Sequence, residues 1–390
     1  MTGFDVIVVG LGGMGSAAAH HLTARGLRVL GLDRFGPAHD QGSSHGGSRI
    51  TRQAYFEDPA YVPLLRRATQ LWDRTAAESG HEVVRWVGGV WAGRPGGPTV
   101  AGALASARRW GLEHELLDAA AIQDRFPTMT PAGDEVAVVE DRAGVVHPER
   151  SVTAHLELAA RGGAELRHGV TVLGWSSTVT GVRVTTDRGE FEADRLVVAP
   201  GAWAGPLLGL PVRAERYVQF WFEPDDPAAF DGHPVWIWEG VGARQVYGFP
   251  LDADGLVKLA FFRGGDPCTP ETVDRTVHDT EVTGIADFAS RHLPGAVHRF
   301  VRAKTCLYEC TPDHDFVLGR HPAQERVVLA CGFSGHGFKF VPVVGEIVAD
   351  LVADGATPHP IGLFDPTRPA LRAEARSAGP AGRSYREYAS

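Results

Sequence analysis

The stretch FDVIVVGLGGMGSAAAHHLTARGLRVLGLDRF, residues 4–35, decides the fold. The run through residues 5–9 is dominated by β-branched side chains, the form of a strand buried on both faces. Gly10, Gly12 and Gly15 follow in G-x-G-x-x-G spacing, then a small-residue helix to Arg25, then a second strand, RVLGLD, ending at Asp33. This is a dinucleotide-binding βαβ unit. Its glycines let the backbone approach a pyrophosphate, the helix N-terminus favours negative charge, and an acidic residue follows to take ribose hydroxyls. At this point FAD and NAD both remain open.

Working outward, a chain of 390 residues is long for one hydrophobic core, and two domains are expected. The formal net charge of −9 and the lack of a basic stripe exclude nucleic acid as the expected partner. No apolar run is long enough for a transmembrane helix, and the N-terminus passes straight into a strand without a basic leader, so a cytoplasmic protein is expected. The four cysteines, at 268, 306, 310 and 331, form neither a disulfide framework nor a zinc ligand pattern.

Further along, ERSVTAHLELAARGGAELRHG reads as a helix into a strand. Residues 170–209 then alternate through short strands to RLVVAP and Gly201. From about Val327 to Asp354 the pattern is again strand, Gly-rich loop and helix, and its loop should carry His336 and Lys339 to one end of the nucleotide sheet. The segments 81–144 and 206–300, rich in Trp, Phe and Pro, alternate in a strand-like way. They are expected to form a sheet-based substrate domain inserted into an FAD-binding domain made of residues 1–80, 145–205 and 301–390. The tail after Arg368 loses periodicity and is expected to be mobile.

The small meander and its return strand are similar to the glutathione-reductase-type FAD fold, an α/β Rossmann architecture, here with an inserted antiparallel sheet. GSSHGGSRITRQAY (42–55), TCLYECTPDHDFVLG (305–319) and CGFSGHGFKF (331–340) narrow the likeness. Together with YGFP at 247–250 and GLVKLA at 255–260, they resemble the family of monomeric sarcosine oxidases and N-methyltryptophan oxidases. The resemblance implies covalent FAD, attached through its 8α-methyl to a cysteine at the position of Cys306. Such a cysteine should lie beside the flavin and near cationic groups. Cys310 has no counterpart and reads as a small buried side chain.

The resemblance also places Arg52 and Lys339 as the pair that binds a substrate carboxylate, a planar fork and a point charge. It places Arg49 and Lys258 on the other side of the flavin, where a fixed positive charge promotes the reaction with O2. Lys258 lies in an apolar stretch where an unpaired lysine is costly to bury without a purpose. Tyr247, Tyr308 and His336 match residues lining the substrate cavity, able to orient the amine, and His336 could equally support the flavin. Ser44 and His45 are expected against the cofactor, with Val172 and Gly335 completing its contacts.

Two departures stand out: Phe262 replaces a histidine near the substrate, and Gly47 replaces an aspartate before Ser48 and Arg49. A phenyl ring there suggests a more apolar pocket and a larger substrate than sarcosine. The expected activity is oxidation of a secondary, N-methyl or cyclic, amino acid to an imine that hydrolyses, with O2 reduced to H2O2. A pipecolate-like cyclic imino acid is the alternative substrate, and a flavin-binding protein without turnover the alternative role. The expected partners are the amino acid and O2, with no membrane and no second chain.

Overall fold

A computed structural model describes residues 3–240 and 245–372. Strand Phe4–Val9 is followed by helix Gly13–Ala24 and by strand Val29–Asp33, which pairs parallel to the first. The small residues of this helix have a packing purpose. Helix Val341–Ala353 lies against it so closely that a Cβ on Gly345 would sit 2.7 Å from the carbonyl carbon of Ala17. The latter helix is apolar on nearly every face because it is covered on nearly every face.

The meander takes the expected form. Strands Val172–Ser177, Val182–Thr186 and Gly189–Val198 pair antiparallel in sequence, and the last turns back to run parallel to Phe4–Val9. Its final residues also pair parallel with strand Gln324–Cys331, which leads to the Gly-rich loop. The carboxyl ends of three parallel strands, 4–9, 189–198 and 324–331, therefore open on one edge, the place where α/β sheets bind ligands.

The second sheet joins both inserted segments. Strand Gly89–Gly93, from the first, runs parallel to Val235–Glu239, from the second, and the remaining pairings are antiparallel. Four tryptophans, Trp72, Trp91, Trp236 and Trp238, are among its and its neighbours' fully buried side chains. One strand straddles the boundary expected at residue 301. Strand Arg299–Cys310 pairs along its length, antiparallel, with Arg213–Glu223 in the second sheet. The Cys306 segment is thus a strand of the second sheet that ends beside the first.

Of the tail expected to be mobile, Arg368 is anchored by Asp313 and by the carbonyls of Asp315 and Phe316, and a short turn spans Pro369–Leu371. Residues 373–390 lie outside the described residues. Among the described residues no helix is long and apolar enough to cross a membrane.

Candidate active site

A cavity of about 720 Å³ runs from the glycine loop between the two sheets. At one end it is lined by Gly10, Gly12, Asp33 and Val172, in the middle by Ser44 and Arg49, and at the other end by Arg52, Tyr247, Phe262, Tyr308, Gly335, His336 and Lys339. Gly15, His45, Lys258 and Cys306 are not on its wall.

The glycine loop is built for close approach. Gly10 adopts φ +85°, where a Cβ would strike the Ala199 carbonyl oxygen at 2.3 Å, and a Cβ on Gly15 would strike the Gly10 carbonyl. Gly15 therefore serves helix-to-strand packing. Asp33 accepts the Leu11 N–H at 2.7 Å and the Phe35 N–H at 2.8 Å, and each oxygen keeps a lone pair for a ribose hydroxyl. Ser44 accepts the Gly13 N–H at 3.0 Å, so it caps the helix while its own hydroxyl proton stays available.

Arg49 anchors the middle of the site. It donates to the carbonyls of Ser43 and Ser48, both at 2.8 Å, and its Nη2 lies 3.5 Å from Cys306 Sγ. Lys258, 1% exposed, is held by the carbonyls of Gly46 at 2.7 Å and Ser48 at 2.9 Å and by Ser48 Oγ at 3.1 Å. Three acceptors match the three protons of an ammonium. Burial, reinforced by Arg49, nonetheless drives its pKa well below the usual lysine value. His45 is fully buried with both ring nitrogens unpaired, and burial followed by the charge of Arg49 lowers it to about 3, so it is neutral. It stands behind the wall with Cys306 and Lys258.

At the far end the expected pair meets. The Arg52 guanidinium lies 4.2 Å from the Tyr55 ring and 4.0 Å from the Phe56 ring, and Lys339 Nζ lies 5.2 Å from the same Tyr55 ring. Lys339 donates to the His336 carbonyl at 2.7 Å, and burial, then the nearby Arg52, brings its pKa down to about 7. Arg52 already has a carboxylate: its Nη2 donates to Glu57 at 2.6 Å, Arg52 buried and Glu57 nearly so, both lining the cavity. Glu57 was not singled out from the sequence, although an acidic residue five positions after Arg52 was a legible signal.

His336 is hydrogen-bonded through both ring nitrogens. Its Nε2 lies 3.0 Å from the His314 carbonyl and its Nδ1 2.5 Å from the Tyr55 hydroxyl, so Nε2 donates, Nδ1 accepts, and neither nitrogen is left for an amine. Burial lowers it to about 3 and keeps it neutral. Tyr308 and Tyr247 do face each other, hydroxyl to hydroxyl, at 3.5 Å. The Tyr308 ring fills a slot between the stacked Tyr217 ring, 3.8 Å away, and Gly335, whose φ of +77° and missing Cβ leave that ring its space. Phe262 packs edge-on against Phe56, closing the wall beside Arg52. All four cysteines are free, and burial raises the Cys310 thiol, which suits the inert side chain expected there.

These residues fit a dinucleotide flavin. The glycine cradle and Asp33 suit the nucleotide end, and an unpaired buried hydroxyl oxygen, Ser43 Oγ, lies on the wall near Ser44. Comparison with known proteins identifies the group. Residues 5–351 match the family model described as FAD dependent oxidoreductase. The chain is 57% identical to a monomeric sarcosine oxidase of Streptomyces avermitilis, over 94% of this chain and 97% of that one. It is 33% identical to an N-methyl-L-tryptophan oxidase of Yersinia pestis, over 94% and 99%. Among solved structures it is similar to the open form of NikD, an amino acid oxidase essential for nikkomycin biosynthesis, with 26% identity, a TM-score of 0.83 and coverage of 94% and 98%. The chain belongs to the FAD-dependent oxidoreductase family, in the branch of the monomeric sarcosine oxidases.

Proposed function

We propose that this enzyme oxidises a secondary α-amino acid, N-methyl or cyclic, at a carbon next to nitrogen, giving an imine and reducing O2 to H2O2. The observation that carries the reading is the convergence of Arg52 and Lys339, far apart in sequence, on one aromatic ring at the buried end of the cavity. Two buried cations at that place call for a carboxylate. FAD, when bound, accepts the hydrogen and electron pair lost from the C–N unit and passes the electrons to O2. The second sheet contributes Tyr247 and Tyr308 to the substrate-facing wall.

In this reading the substrate carboxylate displaces Glu57 from Arg52 and restores the charge of Lys339. The reacting carbon is thereby fixed at a set distance from the middle of the cavity. Tyr308, clamped in its slot, and Tyr247 present hydroxyls toward the amine. Buried phenols remain protonated, and here burial raises both above the usual tyrosine value, so they can direct the amine without taking its proton permanently. Arg49 keeps positive charge near the site where O2 is reduced, and Lys258, when protonated on its three acceptors, adds to it. His336 acts through Tyr55 and the loop that carries Lys339, as a positioning residue.

Cys306 is the proposed flavin tether. Its sulfur touches Arg49, a wall residue, and its chain neighbours Leu307 and Tyr308 line the cavity. The same reading includes a single-chain enzyme working in the cytoplasm. The test is an H2O2-coupled screen of N-methyl and cyclic amino acids with formaldehyde assayed in parallel. Stoichiometric formaldehyde identifies N-demethylation, H2O2 without formaldehyde identifies a cyclic substrate, and no H2O2 with any member overturns the reading.

A further inference from the structure

Glu140 is a buried carboxylate that the proposed chemistry does not use. It ends strand Val136–Glu140, which pairs antiparallel with Gly89–Gly93 in the second sheet, and it is 3% exposed. It stands behind the cavity wall. Its two oxygens accept the backbone N–H groups of Gln53 and Ala54, the two residues after Arg52, at 3.1 Å. Its Oε1 also accepts the Trp91 Nε1–H at 3.0 Å. Gly89 makes that third bond possible. It lies opposite Glu140 across the strand pair, and a Cβ there would strike the Trp91 ring at 2.5 Å, so the missing side chain lets the indole lie along the strand toward the carboxylate.

Two of the residues that Glu140 holds also touch Arg52. The Arg52 Nη1 donates to the Ala54 carbonyl at 3.1 Å, and its guanidinium lies 5.6 Å from the Trp91 ring. We propose that Glu140 is a positioning residue of the substrate-carboxylate site: it fixes the 53–54 turn and the Trp91 ring so that Arg52, itself 2% exposed, presents its donor fork to the cavity. The inference deepens the proposed function and rests on its assignment of Arg52 to the substrate carboxylate. A carboxylate suits the task because it accepts several N–H bonds at once and donates none. Glutamine in its place has one acceptor oxygen for three donors and turns an NH2 group toward them. At least one buried N–H then loses its partner, and the turn must shift to find another acceptor. Arg52, gripping the Ala54 carbonyl, shifts with it.

The experiment titrates the flavin absorbance of the holoenzyme with propionate and with propionamide, which match in size and differ in charge, on the wild type, E140Q and W91F. Burial raises Glu140 to about 7 against the pull of the Ala54 and Gln53 N–H groups and of Arg52, so the titrations are run at pH 8, where its carboxyl is ionised. Lys339 is then largely neutral in the unliganded cavity, and Arg52 carries the discrimination. The wild type should bind propionate more tightly by about tenfold or more, the scale of a charge-assisted contact. E140Q should bring that ratio close to one, and W91F, which keeps a ring and removes one of the three donors, should lower it by about threefold. With an oxidised amino acid, kcat/KM of E140Q should fall mainly through KM. A wild-type ratio preserved in E140Q overturns the inference, even if both ligands bind more weakly, because a general loosening of the fold would not change the ratio. Should E140Q yield no folded holoenzyme, W91F decides: an unchanged ratio overturns the inference and a lowered one supports it. A wild type that does not prefer propionate removes the carboxylate site and the inference with it. If no amino acid is oxidised while E140Q still abolishes the propionate preference, the proposed reaction fails and the role of Glu140 stands.

Discussion

Lys339 shows how one residue's surroundings translate into a measurable profile. Its ammonium is held near neutrality in the unliganded cavity, with a pKa of about 7, because burial and Arg52 both oppose the charge. The charged form, which attracts the substrate carboxylate, is present below that pH and lost above it. The substrate amine must shed its proton to react, so that requirement improves as pH rises. The expected kcat/KM profile therefore has a falling limb near pH 7 set by Lys339, while kcat, measured with the carboxylate in place, lacks that limb. Replacing Lys339 with Arg, charged throughout the range, should remove the falling limb. Stopped-flow reduction of the flavin under anaerobic conditions against pH is the measurement. An unchanged limb in K339R would show that another group titrates there.

At the scale of elements, three helices enclose a histidine cluster that the site does not use. His155, on helix Pro148–Arg161, is fully buried, and its Nδ1 lies 3.2 Å from Nδ1 of His20, on helix Gly13–Ala24. Trp72 of helix Val62–Ser79 packs against the His155 ring at 6.2 Å. One Nδ1 must donate and the other accept, so at least one ring stays neutral. Burial lowers His155 well below the usual histidine value, with the neighbouring His20 second, and it lowers His20 too. A group depressed on folding contributes stability above its unfolded pKa and withdraws it as pH falls below that value. Thermal stability should therefore drop from pH 7 toward pH 5, and H155F should flatten that drop, with H155Q separating loss of charge from loss of shape. Equal slopes in wild type and both variants would rule the cluster out as the acid-sensitive element.

The same scale explains what was legible in the sequence. The βαβ unit could be read because both its strands are buried on two faces and Gly10 and Gly15 sit at positions where a Cβ collides with backbone. The sheet that strand 299–310 joins was not legible, because alternation reveals that a segment is a strand, whereas its partner is fixed by contacts distant in sequence. Arg52, Lys339 and Tyr308 were legible as members of distinctive blocks, and they do line one end of the cavity. The engagement of both His336 nitrogens and the Tyr217 stack behind Tyr308 are side-chain pairings across elements, and no local pattern encodes them.

At the scale of the whole molecule, the cavity wall is drawn from both sheets. The cofactor should consequently be released only when both halves lose their packing together. The strand 299–310 strengthens that coupling, since it belongs to the second sheet and its end delivers the chain to strands 317–321 and 324–331 of the first. How the cofactor is attached then decides how stability responds to it. A freely dissociating ligand stabilises the folded state by RT ln(1 + [L]/Kd), about 2.7 kcal/mol at a hundredfold excess over Kd, and makes Tm depend on its concentration. A cofactor tethered through Cys306 is part of the chain in both folded and unfolded states, so added FAD should leave the wild-type Tm unchanged. In C306A the tether is gone while Arg49, the glycine cradle and Asp33 remain, and Tm should climb with added FAD. Scanning calorimetry of both proteins across an FAD series, with acid precipitation to ask whether flavin stays on the pellet, tests the assignment twice. A wild-type Tm that rises with FAD, accompanied by flavin in the acid supernatant, would remove Cys306 from its proposed role and leave Arg49 and the glycine cradle to hold the cofactor by contact alone.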